Sequence, residues 1–352
     1  MTNTSQGQCQ KRTLGSLAPK VQSTEPVTER APDSGPQPQS LLGLYQTALM
    51  ARAIERRLWV LDRLENVPAT LRVTGFEAVQ VAAAAALRAG SDWVVPCQVD
   101  LALCLAMGAS PLDVMLAVFG RAADPASAGR QAPGAFGSRA ARVVVTSASA
   151  GRHVVQAAGI AYASMLLGRD ELTLVCTDQR GTLSGDWHEG INFAGAHSLP
   201  LICLVEDLAS SHGRITQYAE PPVARAKGYG LAAETIDGCE FAAAAGAFRR
   251  AVARARAKGG PTLIYAPVVD LTSLRPGGGR RPPEELEALA GDDPIDRIRR
   301  RLVSRGVLDA AGDEQLQRDC ARVVSEAVEE ARHAPSPDGP AALDNVFLRG
   351  IT

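Results

Sequence analysis

Two polar stretches stand where apolar runs stop. Leu172–Thr177 leads into Asp178-Gln179-Arg180-Gly181, and Pro200–Val205 leads into Glu206-Asp207-Leu208-Ala209-Ser210. If the runs are parallel strands, these residues fall beyond the strands' carboxyl ends, where open α/β sheets place their ligands. Carboxylates there suit a hard divalent cation, which takes oxygen ligands, although Asp207 alone makes a weak site. A guanidinium such as that of Arg180 suits a phosphate, and Gly181 would let backbone N–H groups approach one. The plainer reading, and the favoured one, is that Asp178, Gln179 and Arg180 are solvated or cap the helix beginning near Gly185.

Positioning such residues requires a scaffold, and the chain spells one out. Leu41, Leu42, Tyr45, Leu49, Ala53, Leu58 and Leu61 recur at helical spacing. Glu77–Arg88 reads as a buried Ala- and Val-rich helix ended by Gly90, and Trp93–Pro96 as a short strand. Val99–Met107 and Pro111–Phe119 read as helices, the second capped by Ser110 with Pro111 at its first position. Ala122–Ser138 reads as a long loop. Then come alternating helices and strands: Gly151–Leu167, Leu172–Thr177, Asp186–Ala196, Pro200–Val205, Pro222–Gly228, Ala233–Ile236, Phe241–Lys258 and Thr262–Ala266. That alternation predicts an α/β fold, a doubly wound parallel sheet with helices on both faces. Arg275–Pro283 reads as a basic Gly/Pro loop whose arginines are solvated, and Asp293–Val307 and Asp313–Arg332 as closing amphipathic helices.

Composition narrows the function classes. With 352 residues, a net charge of -1 and 4% aromatics, the chain has neither the basic surface nor the stacking residues of a nucleic-acid binder. No apolar stretch is long enough to span a membrane, so no membrane partner is expected. Residues 1–39 are polar, Pro-rich and free of aromatics, and are expected to form a disordered arm. The seven cysteines, at 9, 97, 104, 176, 203, 239 and 320, form no CxxC pair and read as free thiols in a reducing cytoplasm.

Between residues 40 and 335 the sequence resembles the alpha subunit of the E1 component of 2-oxo acid dehydrogenases, a thiamine diphosphate-dependent family acting on pyruvate or branched-chain 2-oxo acids. The resemblance rests on Leu41-Leu-Gly-Leu-Tyr45, Gly75-Phe-Glu-Ala78, Gly185-Asp-Trp-His-Glu-Gly-Ile-Asn-Phe-Ala194, Leu199-Pro200, Ala226-Lys-Gly-Tyr-Gly230 and Ile236-Asp-Gly238. Gly260-Pro-Thr-Leu-Ile264 and Asp293-Pro-Ile-Asp-Arg297 extend it. It implies a thiamine diphosphate-binding type of fold over 40–335, with C-terminal helices from 293 and a tail at 336–352.

The resemblance also implies where a site would lie. The family's Gly-Asp-Gly falls on Asp178-Gln179-Arg180 and its Asn-Asn on Asp207-Leu208, so the two metal-ligand positions hold Gln179 and Leu208. The Tyr-Arg pair that grips diphosphate falls on Gln98-Val99, the pocket histidines on Leu71, Leu101 and Leu274, and the motif glutamine on Phe76. The pair that props the cofactor falls on Ser149-Ala150, and the His-Ser of the phosphorylatable loop on Leu274-Arg275. Gly181 and Ser210 complete the cofactor-binding positions. Leucine coordinates no cation, and apolar residues in a former polar pocket are what a filled pocket needs. His153 and His212 stand near that pocket without a visible partner, His188 reads as a packing residue, and His197 and His333 as surface residues. Glu77 is retained, but the resemblance assigns the thiamine-activating carboxylate to a beta chain.

The expectation is therefore an E1-alpha-like scaffold with no catalytic residue, metal or cofactor of its own, partnered by an E1-beta-like subunit or by itself. Its Ala/Gly-rich helices 77–88 and 152–166 are expected to pack between subunits. The alternative is an active alpha subunit that binds thiamine diphosphate and Mg with a beta subunit. A third reading is a pocket refitted for a smaller, apolar ligand.

Overall fold

A computed structural model describes residues 40–65, 67, 71–97, 100–131, 137–144, 150–208, 220–272 and 281–340. The chain separates into Met1–Gly35 and Pro36–Thr352, and every described residue belongs to the second unit. In chain order the elements are α1 (Leu41–Glu65), α2 (Glu77–Ala86), β1 (Trp93–Val95), α3 (Leu101–Ala106), α4 (Pro111–Val118) and α5 (His153–Leu166). β2 (Thr173–Asp178), a 3-10 turn (Arg180–Leu183), α6 (Gly185–Ala196), β3 (Leu201–Asp207), α7 (Pro222–Gly228) and β4 (Ala232–Thr235) follow. The chain closes with α8 (Phe241–Arg256), β5 (Thr262–Pro267), α9 (Pro283–Ala290), α10 (Pro294–Ser304) and α11 (Ala310–His333).

The strands form one parallel sheet in the order β1-β2-β3-β5-β4. Chain direction across the sheet decides the helix layers. From β1 to β4 the chain advances, so right-handed crossovers put α5, α6 and α7 on one face; from β4 to β5 it steps back, which puts α8 on the other. The packing agrees. Val154, Ala157, Trp187, Ile191 and Ala226 cover Val175, Cys203 and Val205, whereas Ala244, Phe248 and the α2 residues Val79 and Ala82 cover Leu174, Ile202 and Leu204. The doubly wound fold expected from the strand–helix alternation is the fold observed.

A helical layer lies beneath α2. Leu44, Tyr45, Ile54 and Leu58 of α1 pack with Ile298 and Leu302 of α10 and with Val324 and Val328 of α11. α2 serves both cores, Ala78 and Val81 facing this layer and Val79 and Ala83 facing the sheet. A helix apolar all round must be buried all round, and α2 is buried within the chain itself, so the expectation that it packs between subunits is corrected. α5 differs: Val155, Met165, Leu166 and Leu167 stay exposed, and a Cβ at Gly159 would meet nothing within 4 Å.

Two further readings change. Arg281 is buried, donating to Asp270 at 3.0 Å and to Glu285, so it is an internal ion-pair residue and not a solvated one; residues 275–280 of that run lie outside the described residues. α9 occupies a stretch that the sequence reading passed over. Residues 1–39 and the tail from 341 also lie outside the described residues.

Candidate functional site

The carboxyl edge of the sheet was the expected site, and the residues there are used first by the backbone. The Asp178 carboxylate accepts from Gly181 N at 2.7 Å and pairs with the exposed Arg180 at 3.1 Å, closing the turn after β2. Gln179 begins the 3-10 turn. A Cβ at Gly181 would sit 2.1 Å from Thr177 Oγ1, so a packing constraint accounts for the glycine. Ser184 caps α6 by accepting from Trp187 N at 3.1 Å. Asp178 therefore closes its own turn, and the cap of α6 falls to Ser184 and not to Asp178.

Just past that cap, His188 Nδ1 lies 2.8 Å from the Tyr229 hydroxyl, and Arg225 stacks over Trp187 at 5.0 Å while donating to the Thr182 carbonyl at 2.8 Å. These contacts clamp α7 to the turn. Burial, and then the Arg225 guanidinium, hold the His188 imidazole below its ordinary pKa. The role fits the packing reading. His153 is buried, its Nε2–H donating to the Cys176 carbonyl at 2.6 Å, and its Nδ1 has no hydrogen-bond partner among the described residues. His197 ends α6 and His333 ends α11.

The family pocket positions are apolar and packed where the structure describes them. Leu71 and Leu101 lie at 1% and 0% exposure in the helical core. Phe76 is 3% exposed in the sheet-side core, and Leu208 and Cys97 pack against that same cluster. Ala150 is exposed. Gln98, Val99, Ser149, Ser210, His212 and Leu274 lie outside the described residues.

Two groups of buried acids were not anticipated as groups. In the first, Glu77 Oε1 meets Arg52 Nε at 2.7 Å and its Oε2 accepts from Gly75 N at 2.8 Å; Arg52 in turn holds Asp293 through both terminal nitrogens, at 2.7 and 3.0 Å. Burial still pushes the Glu77 carboxyl above its ordinary range, against the pull of Arg52. In the second, Gln80 Nε2 donates to Asp100 at 3.3 Å and to Glu206 at 3.2 Å, holding two buried carboxylates together. Burial, and then the charge of Asp100, push the Glu206 carboxyl well above its ordinary range. The only sequence signal for this pair was Glu206 at a strand end. Asp100 lies beyond β1 on a different segment and drew no notice. Beside them Asp207, on the opposite side of β3, accepts from the Tyr265 hydroxyl.

Two clefts lie among the described residues away from Asp178 and Glu206. One of about 640 Å³ runs between α1, α10 and α11, lined by Arg57, Arg299 and Arg318, and one of about 400 Å³ lies by Trp59 and Thr272.

The fold and the motifs around its carboxyl edge are those of the alpha subunit of the E1 component of 2-oxo acid dehydrogenases. A model of the dehydrogenase E1 component matches residues 45–339, and the chain belongs to that family. It is 35% identical over 317 residues to the 2-oxoisovalerate dehydrogenase subunit alpha of Bacillus subtilis (strain 168), covering 88% of this chain and 96% of that one. Over 328 residues it is 30% identical to the 3-methyl-2-oxobutanoate dehydrogenase subunit alpha of Mycobacterium tuberculosis (strain ATCC 25618 / H37Rv), covering 92% and 85%. The mitochondrial human 2-oxoisovalerate dehydrogenase subunit alpha is 28% identical, with coverage of 88% and 71%. Alpha subunits of this family work with a beta subunit.

Proposed function

We propose that this chain is an E1-alpha-type scaffold that assembles with a beta-type partner and has lost the metal–diphosphate site. One observation carries the reading. Leu208, at a metal-ligand position of the family, packs against the apolar cluster that holds Phe76, where it offers no oxygen to a cation. Supporting it, Leu71 and Leu101 stand in the core at histidine positions, and Asp178, next to the other ligand position, is spent on closing its own turn. The residues at these positions do not fit a magnesium diphosphate, whose charge would have to be met by oxygen ligands and cations. The exposed apolar face of α5 suits the partner, and the buried free thiols suit a reducing cytoplasm.

The printed names of the relatives favour a second reading, an active subunit for branched-chain 2-oxo acids. Titration calorimetry of the chain, alone and with its beta-type partner, separates the two. The scaffold reading expects no magnesium-dependent binding of thiamine diphosphate at micromolar affinity. Such binding in either form would sink it and support the active subunit.

A further inference from the structure

The Asp100–Glu206 pair has a third neighbour. Cys97 Sγ, a carboxylate oxygen of Asp100 and one of Glu206 all lie within 4.8 Å of one another. They come from the chain just after β1, the residue before α3 and the end of β3. Asp100 and Glu206 are 0% and 1% exposed, while Cys97 is half-buried and gives a way in from solvent. Gln80 Nε2 donates to both carboxylates, and Cys97 N donates to the second Asp100 oxygen at 2.6 Å. The second oxygen of Glu206, Oε2, is buried and has no hydrogen-bond partner among the described residues. Among the described residues no arginine or lysine forms an ion pair with either acid.

Two carboxylates cannot both stay ionised side by side out of water without a positive charge between them. A shared proton would meet that need for the carboxylates alone. A divalent cation uses all three. Tetrahedral ligands about 2.0–2.3 Å from one ion stand about 3.3–3.7 Å apart, so separations of up to 4.8 Å would close by about 1 Å on binding. Sulfur with two carboxylate oxygens suits a borderline ion of the zinc class; magnesium demands an octahedron of oxygens.

We propose that Cys97, Asp100 and Glu206 form a binding site for one zinc-class divalent cation, with Gln80 fixing the orientation of both carboxylates and a fourth coordination position left open. The site uses neither Gln179 nor Leu208, so it stands whether or not thiamine diphosphate binds. Its ion ties β1, α3 and β3 together at the carboxyl edge.

Cobalt(II) is the test ion, since thiolate coordination gives it a near-ultraviolet charge-transfer band. The full-length chain, stripped with a chelator, is titrated with Co²⁺ and then Zn²⁺. One Co²⁺ is expected per chain at micromolar affinity, with the thiolate band, displaced by Zn²⁺ and not by millimolar Mg²⁺. Cys97→Ala should abolish the band. Removing a group that merely orients a ligand typically costs 10–100-fold in metal affinity, which is the expectation for Gln80→Leu; Glu206→Gln, which removes a ligand, should cost about 100-fold or more. Glu206→Gln is nearly isosteric, so its result stands even if Cys97→Ala folds poorly. No stoichiometric cobalt, a band that survives Cys97→Ala, or unchanged affinity in Glu206→Gln would each overturn the site and leave the shared proton as the explanation.

Discussion

Two acid groups of this chain meet at the first turn of α2, through Glu77 and Gln80, and are solved in opposite ways. Glu77 and Asp293 are answered from within by one arginine, Arg52, which spends three nitrogens on them. Asp100 and Glu206 are answered by an amide, which orients them but brings no charge. Both groups meet α2, and among the described residues only the first contains its own counter-charge. An ion network of this kind is framework: it fixes α1 and α10 to α2. The other arrangement keeps a demand for positive charge at the sheet edge, where ligands of this fold class are bound.

The comparison breaks most sharply at Arg52. Arg52→Met removes the cation and leaves Glu77 buried without it, a loss of about 3–5 kcal/mol by the usual cost of orphaning a buried charge. Urea unfolding of the full chain should show it as a large drop in midpoint. Glu206→Gln, measured with chelator present, should do the reverse, leaving the midpoint unchanged or raising it, because it relieves like charge. If the two variants lose equal stability, the distinction between the groups is wrong. Gly75→Ala strikes the first group through the backbone. Gly75 has φ +105° and a Cβ there would stand 1.7 Å from the Val269 carbonyl oxygen, so a loss of about 3 kcal/mol is expected in the same assay.

A smaller effect sharpens the second group against the family's own ligand positions. Leu208→Asn puts an amide into the apolar cluster around Phe76, with an expected loss of about 1–3 kcal/mol. Combined with Gln179→Asp, it should still not confer micromolar, magnesium-dependent binding of thiamine diphosphate, since Leu71 and Leu101 remain where the resemblance places histidines. Calorimetry on the double variant with the beta-type partner checks this; tight binding would mean that two ligands suffice.

Local signals in the sequence were enough for most of the scaffold. α7 falls where Pro222 opens and Gly228 closes it, and α4 carries the capping box that Ser110 announced, with Asp113 completing it. β3 was read as ending at Val205 because Glu206 and Asp207 look like loop residues, yet both continue the ladder, Glu206 opposite Asp178 and Ala266. Polarity ends a pattern before it ends a strand when the polar side chains find buried partners. Arg281 was misread for the same reason: its partners, Asp270 and Glu285, are set by the fold and not by the composition of its own segment. The acid pair was the least legible feature. Asp100 and Glu206 lie more than a hundred positions apart, and only a parallel sheet carrying β3 past β1 brings them together. The family positions were legible as residue types, while the packing of Leu208 against the cluster that holds Phe76 required the fold.

The smallest effect belongs to a site that is only partly buried. His188 is held below its ordinary pKa, by burial first and Arg225 second, with Glu189 opposing. The sign follows from linkage: the folded chain favours neutral imidazole, so the unfolded chain binds more protons in the window below the unfolded value of about 6.5. Stability from this group is present above that value and is lost as pH falls through it toward the depressed folded value. Solvent screening keeps the effect small. His188→Gln retains a polar partner for Tyr229 and removes the titration. Urea midpoints at about pH 7 and about pH 5.5 should therefore fall less in the variant than in the wild type over that window. An equal fall in both would mean that His188 bears no part of the acid sensitivity and that the clamp on α7 rests on Arg225 and its bonds to Thr182.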